Sequence, residues 1–203
     1  VSPAIVNELL SLVALDLAVR GTHSIEVERL QELAGQFASQ GTQVDALTDA
    51  VQATDVLETS IRFVSFRHLT MLESYAAMAI AAKIGLTEVV DPILTAVLAG
   101  PFGRGVARHL LSIISDAEVT NLLTQLSVET RSNLIGLARD ILADRSVMPS
   151  AKGSEEPRRL GQIATEVVRF SSRQEESRKD ILIISVHGFN TRGDWKNRLG
   201  LIL

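Results

Sequence analysis

The residues best placed to do chemistry lie near the end of the chain. Ile181-Leu182-Ile183-Ile184-Ser185-Val186 is an unbroken aliphatic run that stops at His187-Gly188-Phe189-Asn190. Such a run reads as a strand buried on both faces, the kind found inside a parallel sheet. The His-Gly step ends it with a sharp turn that leaves backbone open to a ligand, and in doubly wound sheets ligands sit beyond the carboxyl ends of strands. Asp194 is placed to cap a helix after the turn. Trp195, Leu199 and Ile202 are spaced to form that helix's packing face.

Other candidates are weaker. Gly100-Pro101-Phe102-Gly103-Arg104-Gly105 precedes a helical stretch and has Arg104, Arg108 and His109 close by. Glycine-rich backbone at a helix start can cradle a phosphate. The segment lacks the Gly-Lys-Ser/Thr ending of a phosphate-binding loop and follows a helical stretch rather than a strand, so it reads as a helix-breaking corner. His23, His68 and His109 have no partners at metal-ligand spacing and read as solvated or hydrogen-bonded side chains. No metal and no cofactor is expected. The absence of cysteine excludes disulfides, thiolate metal sites and a cysteine nucleophile.

With its trailing Thr191-Arg192-Gly193-Asp194-Trp195, the strand and His-Gly turn resemble the start of an α/β-hydrolase domain. The likeness is to the β3 strand and the turn that helps build the oxyanion hole, and it covers only about the last 23 residues, 181–203. The longer motif is similar to a subset of bacterial hydrolase-like proteins. In that family a backbone N–H of this loop donates to the oxyanion formed when serine attacks an ester or amide carbonyl. The resemblance implies Phe189 or a near neighbour as the donor, Gly188 as the turn and His187 as the residue that orients the loop. It does not supply a catalyst. No Gly-x-Ser-x-Gly elbow occurs in residues 1–203, and the acid and histidine that follow it in the family's chain order are missing too. The competing reading is that His187-Gly188 ends a strand of some other α/β fold.

The elements that would hold such a turn come before it. Residues 4–145 read as consecutive helices. Ile5, Leu9, Leu10, Leu12, Val13 and Leu17 fall at helical spacing up to a stop at Gly21, and Ile25, Leu30, Leu33, Ala34 and Phe37 continue the pattern to Gly41. Thr42 is placed to cap a helix through Val44, Leu47 and Val51. A long apolar helix is expected from about Asp55 to Ile84, ended by Gly85. Its small-residue run from Ser74 to Ala82 lets neighbours approach closely and places it at the centre. Pro92 is expected near the start or at a kink of the next helix. Ser115 with Glu118 forms a capping box, and Ser127 caps a helix from Val128 to about Arg145. Residues 147–180 read as a linker, within which 158–178 is open to either a helix or, at Val167-Val168-Arg169-Phe170, a short strand.

Composition limits the function. Hydrophobic residues make up 46% of the 203, enough for a sizeable core, and aromatics only 4%, which suits packed helices. Residues 1–151 carry 10 basic and 17 acidic side chains, an imbalance that argues against a nucleic-acid-binding face. The greasiest stretch, Tyr75 to Gly100, is interrupted by Lys83, Glu88, Asp91 and Pro92, so a membrane span is not expected. No basic start precedes the first apolar run, and no secretory signal is read there.

The expected architecture is mainly α: a multi-helix bundle over 1–146, a linker over 147–180, and the first strand-turn-helix of a truncated α/β domain over 181–203. The expected role is a regulatory or interaction module, self-associating or bound to a protein partner, at the head of a cytoplasmic, bacterial hydrolase-like protein. This chain would be unable to run the chemistry itself. A stand-alone helical interaction or scaffold protein is the alternative.

Overall fold

Ser2 and Pro3 open the first helix, and the computed structural model, which describes residues 1–37, 43–143 and 159–170, is mainly helical from there on. In α1 (Pro3–Arg20) the Ser2 hydroxyl accepts the Ala4 N–H at 3.3 Å, and proline sits in the first turn, where its missing donor costs nothing. Gly21 stops the helix with φ of 65°, as the sequence requires. Its N–H reaches the Ala18 carbonyl, and the Thr22 N–H reaches Leu17 at 3.1 Å, the paired bonds of a Schellman cap.

Two stretches read as helix are instead strand. Ile25 lies in β1 (Ser24–Glu26), before α2 (Val27–Gly35). The helix expected from Asp55 to Ile84 is interrupted by β2 (Leu57–Thr59) and β3 (Phe63–Phe66), and α4 (Leu69–Ala81) begins only after them. The sheet has the order β1-β3-β2 and is antiparallel, with Ile25 opposite Val64 and Leu57 opposite Phe66. These four apolar residues are buried, while Phe63 and Glu58 face outward. The local period is therefore two and not 3.6. Ser60 closes the hairpin: its N–H donates to the Phe63 carbonyl at 2.8 Å, and its hydroxyl accepts the Phe63 N–H at 3.0 Å. Between β1 and β2 in sequence lies α3 (Val44–Gln52); its expected cap, Thr42, falls outside the described residues.

The second half follows the expected order. Helix α4 makes its most extensive contacts with α1 and with α6 (Gly103–Ile113), so it holds the central place that its small residues predict. Pro92 lies inside α5 (Thr87–Ala99). The Ser115–Glu118 box caps α7 (Asp116–Gln125), with the Glu118 carboxylate accepting the Ser115 N–H at 2.7 Å. At the start of α8 (Val128–Ala143) the Ser127 hydroxyl accepts the Thr130 N–H at 3.3 Å. A further helix, α9, covers 159–170, so helix is the realised alternative for that stretch. Leu160, Ile163, Ala164 and Val167 are its buried residues, at the i, i+3, i+4, i+7 spacing of a core-facing stripe, and they join the same apolar cluster as the other helices. The strand-turn-helix expected over 181–203 lies outside the described residues.

Asp91 of α5 ties that helix to the start of α8, accepting the Ser127 N–H at 3.0 Å. Burial, which opposes ionisation, is outweighed by hydrogen bonds from the Ser127 N–H and from the Thr130 and Ser127 hydroxyls, so the carboxyl titrates below its ordinary value. A carboxyl with a depressed folded pKa adds stability above the ordinary carboxylate range and loses it as pH falls through the folded value. Asp91→Ala is therefore expected to cost about 1 kcal/mol at neutral pH, a modest figure because the group remains in contact with solvent. The difference from wild type should shrink below about pH 4. Urea unfolding at the two pH values measures it, and a gap that stays constant in acid contradicts the assignment.

Candidate functional site

Each histidine of the described region has a local explanation. His23 stacks edge-on against Phe102, with ring centroids 5.0 Å apart and planes at 88°. His68 stands exposed at the N-cap position of α4, where its carbonyl accepts the Met71 N–H at 3.0 Å. His109 lines a polar cavity described below. Among the described residues no group of three or more His, Cys, Asp or Glu is arranged to hold a metal ion, and no helix is long and apolar enough to cross a membrane. His187, Gly188 and Phe189 lie outside the described residues, so the expected oxyanion turn has no geometry here.

The Gly100–Gly105 segment proves to be a packing corner. Phe102 is 1% exposed. A Cβ at Gly103 would sit 2.7 Å from the Leu98 carbonyl oxygen and 2.9 Å from the Leu98 Cα, so glycine is what lets α5 and α6 meet there. That is the helix-breaking role read from the sequence. Arg104, Arg108 and His109 do cluster, but they do so along α6 and across from α4.

Two depressions flank α4. The first is a groove of about 600 Å³ between α1, the end of α2 and α4. Its apolar wall is Leu12, Phe37, Tyr75, Met78, Ala79 and Ala82, and Glu8 and Lys83 are among its polar members. Tyr75 is held at both ends: its ring lies 5.9 Å from Phe66, and its hydroxyl donates to Asn7 Oδ1 at 3.5 Å. Met78, which lines the groove, is 39% exposed.

The second depression, of about 520 Å³, lies between α4, α6 and the start of α9. Helix α4 contributes Thr70 and Glu73, and α6 contributes Arg104, Gly105, Arg108, His109 and Ser112. The Glu73 carboxyl rests on Gly105, in space that a Cβ there would overlap. Partial burial opposes its ionisation and raises its pKa above the ordinary carboxylate range. Ser112 is already committed, donating to the His109 carbonyl at 2.7 Å. The sequence did hold a signal for this cavity that the helical pattern obscured: Glu73 is the single charged residue of α4.

Helix α4 thus presents Thr70 and Glu73 on one side and Tyr75, Met78 and Ala79 on the other, as the 3.6-residue period dictates. The arrangement offers an apolar surface and a mixed-charge cavity. No known family, curated protein or solved structure is recognisably similar to the chain.

Proposed function

We propose that the helical body is a self-association and regulatory module at the head of a bacterial, cytoplasmic α/β-hydrolase-like protein, and that the 203-residue chain is itself catalytically silent. The observation that carries this reading is the groove beside α4. Interaction surfaces use apolar patches framed by polar residues, and methionine adapts well to such contacts. Met78 lines the groove and keeps 39% of its surface exposed. A two-fold pairing is self-complementary, so Met78 of one copy would pack against Tyr75 and Phe37 of the other.

The hydrolase setting rests on the likeness of Ile183–Asn190 to a β3 strand and oxyanion turn. The silence rests on chemistry: an oxyanion donor without a serine nucleophile stabilises an intermediate that never forms. The chain is expected to leave p-nitrophenyl acetate at the buffer rate and to take no label from a fluorophosphonate. Stoichiometric labelling of a serine would overturn the reading.

A further inference from the structure

The charged members of the groove beside α4 are Glu8 and Lys83, and they stand at different ends of it. Glu8 follows Asn7, whose Oδ1 accepts the Tyr75 hydroxyl at 3.5 Å, so Glu8 is beside the Tyr75 end. Lys83 comes just past α4, and its N–H still donates to the Ile80 carbonyl at 2.9 Å, so the helical path continues to it. At the helical rise of about 1.5 Å per residue, Lys83 lies roughly 12 Å beyond Tyr75, with Met78 between them. Within one copy the two charges do not meet. Among the described residues neither side chain has an ion-pair or hydrogen-bond partner. Glu8 is exposed and Lys83 half-buried, so both charges border the apolar wall.

We propose that a second copy docks on the groove end for end, about a two-fold axis passing near Met78, so that Glu8 of each copy pairs with Lys83 of the other. The proposal rests on the self-association reading and adds to it the direction and selectivity of the pairing. In a two-fold contact, what one copy offers at a given place meets what the other offers at the reciprocal place. A groove with a carboxylate at one end and an ammonium at the other therefore complements itself in the antiparallel order. The parallel order sets carboxylate on carboxylate and ammonium on ammonium, and such like-charge contacts suppress wrong pairings. Ion pairs at a rim add little affinity in themselves, so the apolar contact around Met78 supplies the strength and the charges set the order.

The test is charge reversal in the full chain, with Glu8→Lys and Lys83→Glu followed by light scattering at a concentration where the wild-type chain is paired. Either reversal alone sets like charges together in both reciprocal contacts and should weaken pairing roughly tenfold or more. Mixed in equal amounts, the two variants should pair with one another about as tightly as wild type. The new ammonium then faces the new carboxylate, and the native Lys83 faces the native Glu8. Native mass spectrometry with one variant isotope-labelled identifies the mixed pair, and the rescue shows that both variants are folded. Carrying both reversals in one chain should likewise restore pairing. Variants that pair as wild type does, or a mixture that fails to pair, overturn the end-for-end docking and leave self-association standing. A wild-type chain that stays a monomer at every concentration overturns both.

Discussion

Phe102→Ala is expected to lower stability by about 3–5 kcal/mol, roughly a fifth or more of what a domain of ordinary stability has to lose. Phe102 is among the largest fully buried side chains, and it stands at the junction of three elements. It precedes α6 directly, its ring meets His23 just past the end of α1, and its neighbour Pro101 packs on Gly21, where a Cβ would lie 3.1 Å from the proline ring. Gly103, next in the chain, already lies so close to Leu98 that a Cβ there would sit 2.7 Å from the Leu98 carbonyl oxygen, so the corner has little room to shift. Sites that cannot collapse sit at the costly end of the range. At about 2–4 °C per kcal/mol for a chain of this size, the melting temperature should fall by on the order of 10 °C. Calorimetric melting checks it. Ile61, 98% exposed at the hairpin tip, serves as the control, since Ile61→Ser should stay within about 0.5 kcal/mol. A loss at Phe102 of less than about 1 kcal/mol would mean that the corner is not packed as described.

How much of this was legible in the sequence depended on whether the signal was local. Caps and stops were: Gly21, Ser115 with Glu118, and Ser127 act through bonds to residues within a few positions, and each performs its expected role. The central place of α4 was legible too, because small residues on every face suit only a helix with neighbours on several sides. The sheet was not. Ile25 sits at a spacing that serves helix or strand equally well, and its partner Val64 lies far along the chain. Ser60, closing a turn between two short alternating runs, was the cue available in Leu57–Phe66, and the longer apolar run into α4 masked it.

The two depressions were invisible for a related reason. Leu12, Phe37 and Met78 each fit a helix's apolar stripe, and only tertiary packing sets Met78 apart as exposed beside the others. Glu73 carried a readable hint, being alone among apolar and small residues, yet of the cavity's cationic residues on α6 Arg104 fell in the segment read as a corner, and nothing in the helical pattern placed Arg108 and His109 opposite Glu73. His187, Gly188 and Phe189 remain an expectation from the sequence and enter the functional proposal on that footing.

The second large effect concerns association. Met78→Glu places a carboxylate where the two-fold pairing would bury a thioether against Tyr75 and Phe37, and burying an unpaired charge costs far more than the contact it replaces. The expected loss is on the order of 2–4 kcal/mol of association free energy, about a hundredfold in the dimer constant. The fold should survive, because Met78 is 39% exposed and is not one of the buried core residues. Circular dichroism of the variant separates loss of pairing from loss of structure.

Tyr75 makes the decisive measurement possible, because it is the one tyrosine in the chain and it lines the groove. A chain labelled with 3-fluorotyrosine should give a single fluorine resonance that reports groove occupancy. This resonance should move with protein concentration in step with a light-scattering mass rising from 22.0 kDa to twice that value, and Met78→Glu should abolish both changes. A resonance that stays fixed across the same concentrations, in a chain that scatters as a monomer throughout, would contradict the two-fold pairing.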